Sequence, residues 1–325
     1  MAADERDCPT LRPLGAPDEA ALAVLKRSAR LRVVGGAAPL LALRALVEVL
    51  APEARITWQS EAGAVDGEGL VCIEGPAWVD EVAEEAARAK LRVVMAGAGS
   101  HEPPPKGAWV DDARAGDGRF VGFGPTAATV LAWAGVDPAA WAAGLAEGQG
   151  SCLRTALFDN VAWSVAAALS LRPDAIPVLV ATSGALAPLT RSLARTWSAT
   201  VRGMPAGPGP NVRVGLTVLD GVADDGLTFE ALHGAPTDRV PVLIGPPTDA
   251  SQTMIGWLTR EGRPYLTLRA ARTPQSIATL LTLGTHAAVA LAVLRHLDPL
   301  AAPGAEAWDR TVERLRAVDD ASTLA

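Results

Sequence analysis

The sequence is short of several residue types, and each shortage excludes a class of protein. Only three of the 325 residues are cysteine, and no Cys-x-x-Cys or Cys/His spacing joins Cys8, Cys72 and Cys152. Zinc sites and dithiol redox sites are therefore not indicated, and we expect no metal and no cofactor. Lysine occurs at three positions, and the net charge is −7. A chain this acidic is not expected to bind nucleic acid or an anionic membrane, because both need a basic surface.

Long apolar runs are also lacking. The most apolar stretches, 161–171 and 287–294, are shorter than the ~18 residues that a membrane-spanning helix needs. The N-terminal sequence MAADERDCPT is charged and has no apolar core of the kind found in signal peptides. We therefore expect a soluble, cytoplasmic protein.

What the chain does contain is a regular alternation of apolar strands and amphipathic helices. Hydrophobic residues make up 49% of the chain, enough for a large core. In the first half the pattern predicts four strands, at 31–34, 55–58, 70–73 and 91–97. Helices are predicted between them, and a Gly/Pro/Asp-rich loop at 98–118 follows. Such alternation is typical of a parallel sheet covered on both faces.

The second half repeats the strand-turn-helix pattern at 177–200 and then changes texture. A strand is predicted at 177–182, and further strands, some of them antiparallel, are predicted at 212–219, 227–232, 240–244 and 265–269. Helices are predicted at 126–134, 138–147, 155–171, 187–200, 251–261, 276–296 and 306–317. We divide the chain into a lead-in, two α/β subdomains with mainly parallel sheets, and C-terminal helices: 1–20, 21–125, 126–275 and 276–325.

The stretch LVCIEGPAWVDEVAEEAARAK, residues 70–90, has the form of a ligand-binding strand-to-helix junction. Free N–H groups and the helix dipole make such junctions good phosphate sites. This junction has no Ser, Thr or Lys, and places Glu74, Pro76 and Trp78 where a phosphate would sit. A carboxylate at ~4 Å from a phosphate dianion costs on the order of 1–4 kcal/mol. We expect no sugar phosphate to bind there.

Four stretches, in this order, resemble the glucose-6-phosphate isomerase family. GDGRFVGFGPTAATVLAWAGVD (116–137) is similar to the family's GGRFS segment and following helix. RTWSATVRG (195–203) lies where the family has ESLGK, and VADDGLTFEALHGAPTDRVPVLIG (222–245) is similar to the segment containing TDQHSQ. LGTHAAVALAVLRHLDPLAAPGAEAWDR (283–310) is similar to the long C-terminal helix and NPFDQPGVExGK.

The resemblance implies a double sugar-isomerase fold, a dimer, and metal-free interconversion of glucose 6-phosphate and fructose 6-phosphate. That reaction uses a carboxylate base, a His, a Lys and an Arg, together with a phosphate cradle. Only the Arg is matched, by Arg119. The base falls at Ala199, the His near Asp225 and the Lys at Asp309. The cradle falls on residues 74–79, and the Ser after the first Gly-Gly falls at Ala37.

Three hypotheses follow. The first is a protein of this fold that has lost catalysis and acts as a binding or regulatory partner in carbohydrate metabolism, as a homodimer or with another protein. The second is an active sugar-phosphate isomerase in which Glu230, His233 or Glu306 replaces the missing groups around Arg119. The third is a different sugar-binding enzyme that uses Arg119 and an anion site at Thr182, Ser183 and Gly184. Gly35 and Gly36 form a further candidate anion-binding turn, although a lone Gly pair is weak evidence for a dinucleotide.

Overall fold

The computed structural model is an α/β fold built on two parallel sheets. It describes residues 16–60, 69–73, 78–89, 91–99, 103–104, 106–154, 156, 159–172, 176–201, 219–234, 238–297 and 299. One sheet has the strand order β2-β1-β3-β4-β5, formed by Leu31–Val34 (β1), Ile56–Gln59 (β2), Gly69–Ile73 (β3), Arg92–Gly97 (β4) and Ala108–Asp111 (β5). The other has the order β7-β6-β8-β9, formed by Ile176–Ala181 (β6), Leu219–Val222 (β7), Arg239–Ile244 (β8) and Leu266–Leu268 (β9).

Ten α-helices accompany the sheets in the described part of the chain: Glu19–Leu25 (α1), Ala37–Leu50 (α2), Trp78–Arg88 (α3), Pro125–Trp133 (α4), Pro138–Cys152 (α5), Val161–Ser170 (α6), Ala187–Val201 (α7), Gly226–His233 (α8), Asp249–Arg260 (α9) and Pro274–Leu294 (α10). At many of these helices the N-cap side chain accepts a backbone N–H of the first turn. Asp137 and Thr273 cap α5 and α10, and in each the next residue is a proline, which needs no N–H partner at that position. The predicted helices at 126–134, 138–147, 187–200, 251–261 and 276–296 are confirmed within a few residues.

The molecule is layered, with a shared layer of helices between the two sheets. Helix α3 covers one face of the first sheet and packs on Val34, Leu70 and Cys72. Helices α8 and α9 cover one face of the second sheet. The opposite faces of both sheets contribute to one large core, in which α10 packs against α5, α6 and α7, and α2 packs against α7. Both sheets are thus buried on two sides, as the apolar strands indicate.

The first four strands of each sheet have the same relative order, and the five-stranded sheet adds β5 at its edge. In each sheet the first strand in sequence, β1 or β6, has strands added on both of its sides. The connections that follow β1 and β6 therefore lead to opposite sides of these strands, which makes each of them a topological switch point. Proteins with α/β sheets bind ligands at the carboxyl ends of the strands at such points. All strand pairs in the described residues are parallel. The antiparallel additions expected beyond residue 210 are therefore wrong for the described strands.

The predicted strand at 227–232 is also wrong, because these residues belong to α8. The carboxylate of Asp225 accepts the backbone N–H of Leu227 at 3.0 Å and starts the helix. Thr228 and Leu232 are buried four residues apart, which is a helical spacing. An apolar run of this length fits the repeat of a strand as well as that of a helix, and the Asp225 cap favours the helix.

Strand β5 lies inside the segment 98–118, for which the sequence predicts a loop. It is only four residues long, Ala108–Asp111, and pairs with β4 at the edge of the sheet. The Trp109 indole donates to the carbonyl of Gly99 at 2.7 Å, and Asp111 accepts the N–H of the same glycine at 2.9 Å. Short edge strands flanked by Gly and Pro give little sequence signal.

Helix α10 has the 21 residues predicted for 276–296, shifted by two positions towards the N-terminus. With 21 residues and a mean hydropathy of 2.0 in its most apolar window, it is long enough to cross a membrane. Within the described structure, however, 72% of that window is buried against other parts of the protein. Its composition is accounted for by a position in the core, in contact with α5, α6 and α7.

The two cysteines in the described residues are buried core residues. Burial raises the pKa of Cys72 to about 12, with a further contribution from the nearby charge of Asp80. Burial also raises the pKa of Cys152 to about 12. Since the thiolate is the reactive form, both side chains are chemically inert in the folded protein.

We expect iodoacetamide at about pH 8 to leave Cys72 and Cys152 unmodified in the native protein and to modify both in denaturant, in a Cys8→Ser background. A thiol in the unfolded chain has a pKa of about 8.5. As the pH rises, the unfolded state therefore loses its thiol protons before the folded state does. The free energy of unfolding should therefore fall as the pH rises from about 9 to about 12. Peptide mass spectrometry checks the labelling, and rapid native modification of Cys72 would contradict the packing of β3.

Gly245, directly after β8, is required by its surroundings. Its φ is +128°, and a Cβ there would lie 2.2 Å from Thr182 Oγ1 and 2.5 Å from Leu186 Cδ1. We expect Gly245→Ala to lower the free energy of unfolding by about 2–4 kcal/mol, measured by urea denaturation. Gly256→Ala is the control, because this glycine lies inside α9 with open space around it. The control should gain about 0.5–1 kcal/mol, and equal stability of the two variants would refute this account.

Candidate functional site

The first candidate site lies at the switch point of the five-stranded sheet. Gly35 follows β1 and approaches the end of β3 so closely that a Cβ on it would meet the Cβ of Ile73 at 3.0 Å. Gly36 is the N-cap of α2 and provides no side-chain hydrogen bond to the first turn. The helix therefore presents backbone N–H groups at this edge, the arrangement that favours an anion.

The loop that carries Arg119 packs directly on this helix start. A Cβ on Gly118 would lie 2.6 Å from the carbonyl carbon of Ala38, so glycine is needed for the contact. Phe120 is buried beyond it in the main core. The structure therefore brings Arg119 and the Gly35-Gly36 turn to the same end of the sheet, which sequence spacing alone does not indicate.

The Arg119 guanidinium is engaged by its own loop and by the chain beyond α10. Nη2 donates to Asp117 Oδ2 at 2.8 Å, and Nε lies 3.1 and 3.2 Å from the two carboxylate oxygens of Asp117. Nη1 donates to the carbonyl of Pro299 at 3.0 Å, and the group lies over the Phe120 ring at 5.1 Å. The Arg119 side chain is 11% exposed. An incoming anion would have to compete with Asp117 for the same donors.

A buried carboxylate fixes the helix that follows this loop. Asp112 is 1% exposed, and its Oδ2 accepts the backbone N–H of Thr126 in the first turn of α4 at 3.2 Å. A Cβ on Gly124 would lie 2.0 Å from that oxygen. Arg114 lies 3.5 Å from the other carboxylate oxygen. The Asp112 carboxylate thus fixes the conformation of the segment between Asp112 and Thr126. No sequence pattern indicates this role of Asp112.

The second candidate site lies at the switch point of the four-stranded sheet. Thr182 follows β6, and its carbonyl accepts the Thr248 hydroxyl at 2.9 Å. Its own Oγ1 is buried and has no hydrogen-bond partner among the residues that the structure describes. Ser183 and Gly184 follow it into a short 3-10 turn that continues as α7. The structure therefore places all three predicted residues at the carboxyl end of β6, as the strand-to-helix pattern predicts.

Glu230 and His233 lie in a different layer from Arg119. Both are on α8, whose Leu232 packs with Val178 and Val180 on the outer face of the second sheet. The His233 ring stacks on Phe229 and Trp257, with ring centroids 5.9 and 5.7 Å away. Arg119 belongs to the opposite side, next to the shared core.

Other positions named by the resemblance have structural roles or fall outside the described residues. Asp225 caps α8, and Ala199 lies inside α7. Residues 74–77, Glu306 and Asp309 are outside the described residues. Among the described residues no group of three His, Cys, Asp or Glu side chains could hold a metal ion.

Comparison with known proteins identifies the fold by structure and not by sequence. No family model matches the chain, and no curated protein sequence matches it. A hypothetical protein from Thermus thermophilus superposes with a TM-score of 0.75 at 16% identity, covering 91% of this chain and 87% of that one. A glucose-6-phosphate isomerase from Chlamydia trachomatis superposes with a TM-score of 0.73 at 14% identity, covering 92% and 72%.

Tagatose-6-phosphate ketose/aldose isomerase from Escherichia coli also superposes, with a TM-score of 0.58 at 9% identity over 92% of this chain and 96% of that one. Identities this low establish the architecture and leave the chemistry to the site itself. The fold predicted from the sequence motifs is thus confirmed: the chain has the α/β sugar-isomerase fold found in glucose-6-phosphate isomerase and other phosphosugar isomerases.

Proposed function

We propose that this protein keeps the fold of glucose-6-phosphate isomerase but has lost catalysis, and that it acts as a binding or regulatory protein in carbohydrate metabolism. Its setting would be cytoplasmic, and its partner a second copy or another protein. The observation that carries the proposal is the engagement of Arg119 by Asp117. Sugar phosphates remain candidate ligands at the turns Gly35-Gly36 and Thr182-Ser183-Gly184.

The charge of Arg119 is the reason for this inference. An isomerase needs this type of group to stabilise the negative charge that develops as a proton moves between adjacent carbons. Here the guanidinium already donates to a carboxylate and to a backbone carbonyl. A charge that is neutralised in the resting site contributes less when the transition state forms, because catalysis depends on interactions gained only at that point.

The acid–base groups support the same proposal. Isomerisation needs a carboxylate and a His within hydrogen-bond reach of one substrate. Glu230 and His233 belong to the outer layer with α8, and Asp225 is used as a helix cap. Within the described residues, the acid closest to Arg119 in sequence, Asp117, is held in a bidentate ion pair.

An active aldose–ketose isomerase is the second candidate. Its support is the superposition on two enzymes of that class over more than nine-tenths of this chain. In this alternative Arg119 would act with Glu306, or with Glu230 and His233 after a rearrangement, and glucose 6-phosphate and fructose 6-phosphate would be the substrates.

The experiment is a coupled assay of the conversion of fructose 6-phosphate to glucose 6-phosphate. It compares the wild-type protein with the Arg119→Met variant and uses a known isomerase as the positive control. We expect wild type and variant to be indistinguishable from the blank. Turnover by the wild type that falls at least tenfold in Arg119→Met would refute the proposal and establish the second candidate. Thermal unfolding with each sugar phosphate then tests binding, since a ligand at 100 times its Kd stabilises by about 2.7 kcal/mol.

A stability measurement tests the role given to Asp117. Asp117→Ala leaves a largely buried guanidinium without its carboxylate, so we expect the free energy of unfolding to fall by about 1–3 kcal/mol. The control is Glu84→Ala, which breaks the pair of Glu84 with Arg88 at 3.5 Å, both 75% exposed. That change should stay within about 0.5 kcal/mol, and equal effects in urea unfolding would show that the Asp117 pair is not structural.

A further inference from the structure

A groove between α2 and α7 is lined by arginine side chains, although the chain as a whole is acidic. The two helices pack against each other, and the groove has a volume of about 200 Å³. One face of each helix contributes residues three or four positions apart: Leu41, Arg44, Ala45 and Glu48 of α2, and Pro188, Arg191, Ser192 and Arg195 of α7. Three guanidinium groups and one carboxylate thus line a groove on a protein whose net charge is −7.

The positive charge of the groove is only partly neutralised. Arg44 pairs with Glu48 at 2.6 Å, so the one carboxylate of the lining is already used within α2. Arg191 pairs with Asp220 at 3.4 Å, and both side chains are more than one-third exposed. Arg195 is exposed and forms no hydrogen bond or ion pair with any residue that the structure describes. Exposed pairs contribute little stability, so these guanidinium groups remain available to an acidic ligand.

The floor of the groove between these charges is apolar. Leu41 is 42% exposed, although other leucines of α2 are buried in the core. Ala45 and Pro188 continue the apolar surface. Grooves with an apolar floor are recognised by amphipathic helices that place their apolar face in them. The helix that fits this groove has an apolar stripe for the floor and acidic side chains beside that stripe.

The described chain ends beside this groove. A Cβ on Gly118 would lie 2.6 Å from the carbonyl carbon of Ala38, in the first turn of α2. The next residue, Arg119, donates from Nη1 to the carbonyl of Pro299 at 3.0 Å. Pro299 is the last described residue, and it lies about one arginine side chain away from the start of α2. Leu41 is three residues beyond Ala38 and therefore shares its face of the helix, so the groove begins near the point where the described chain ends.

The sequence beyond Pro299 is long enough to reach the groove. Residues 300–325 lie outside the described residues, and the sequence pattern predicts a helix at 306–317. The connection at 300–307 can span roughly 25 Å when extended. Helix α2 rises only about 15 Å between Ala38 and Glu48, so the predicted helix can lie anywhere along the groove.

The residues of this predicted helix also match the groove in character. Trp308, Val312 and Leu315 recur at i, i+4 and i+7 and would form an apolar stripe on one side of a helix. Asp309 and Glu313 each follow a residue of the stripe by one position, so both acids would border it on the same side. An apolar stripe with acids along its edge is complementary to an apolar floor with arginines along its rim.

We propose that the groove between α2 and α7 binds the chain's own segment 306–317. The apolar stripe of the segment would lie on Leu41 and Pro188, and its acids would pair with Arg191 and Arg195. The connection to the segment would hold the Pro299 carbonyl on Arg119 and so keep that guanidinium engaged. The proposal does not depend on the loss of catalysis, because the groove contains neither switch-point turn.

The segment of a second copy would offer the same side chains. The chain's own segment is favoured because its connection starts beside the groove, at Pro299. A short tether gives a local concentration in the millimolar range, far above that of a second copy at micromolar protein.

The test is chemical cross-linking in the full-length protein. Leu41→Cys places one thiol in the groove and Val312→Cys places one in the segment, in a Cys8→Ser background. The two remaining cysteines are buried and inert. A short bis-maleimide joins the two new thiols only when they lie close together. The control pair keeps Val312→Cys and replaces the groove thiol by Gln252→Cys, an exposed position on α9 at the outer face of the second sheet.

We expect the groove pair to form a cross-link within one chain at least about tenfold faster than the control pair, because docking concentrates the segment at one place. Denaturing gel electrophoresis separates monomer-sized from dimer-sized products, and peptide mass spectrometry identifies the joined residues. Equal rates for the two pairs would overturn the proposal. Dimer-sized products alone would assign the groove to a second copy and would overturn it as well.

Charge variants test how the segment is recognised. Arg195→Glu should slow cross-linking of the groove pair about fivefold, because a repulsion replaces an attraction. Arg260→Glu makes the same change at the end of α9, outside the groove lining, and should leave the rate unchanged. Circular dichroism verifies that each variant is folded. Equal rates in the two variants would refute the charge complementarity on which the proposal rests.

Discussion

The close approach of helix backbones in the shared layer is the constraint on which the rest of the structure depends. Gly144 and Gly148 of α5 contact the first turns of α10, and a Cβ at Gly148 would lie 2.6 Å from Thr282 Cβ. Gly284 makes the corresponding contact with Leu193 of α7 at 3.0 Å. Larger side chains here would push the helices apart, and with them the two sheets, since each sheet packs one face on this layer.

The same architecture supports several chemistries, because a switch point provides only a crevice for a ligand and a few backbone N–H groups. What a site does is decided by the side chains added there. In this protein a carboxylate two residues before Arg119 engages its guanidinium, and a carboxylate before α8 caps a helix. Both acids stabilise local structure.

Much of the fold could be predicted from particular segments. The strand at 70–73 is a continuous apolar run, and the strand at 31–34 is apolar apart from Arg32; both are bounded by glycine or charge. Helix α10 has a cap, a proline and a long apolar pattern, so each of these elements can be recognised locally. The segment 227–232 was not, because its apolar residues fit both a strand and a helix. Strand β5 was not predicted for a different reason: an edge strand of four residues in a Gly/Pro-rich region is too short to produce a recognisable sequence pattern.

By itself the sequence determined the parallel α/β class, the order of most elements, the burial of Cys72, and the position of Arg119 before α4. These depend on periodicity, composition and motif order, which act over a few residues. Only the tertiary structure decided that Glu230 and His233 lie in a different layer from Arg119, and that Arg44 and Arg195, 151 positions apart in the chain, line one groove. Such proximities arise from how helices and sheets pack, and packing brings together residues that no local pattern connects.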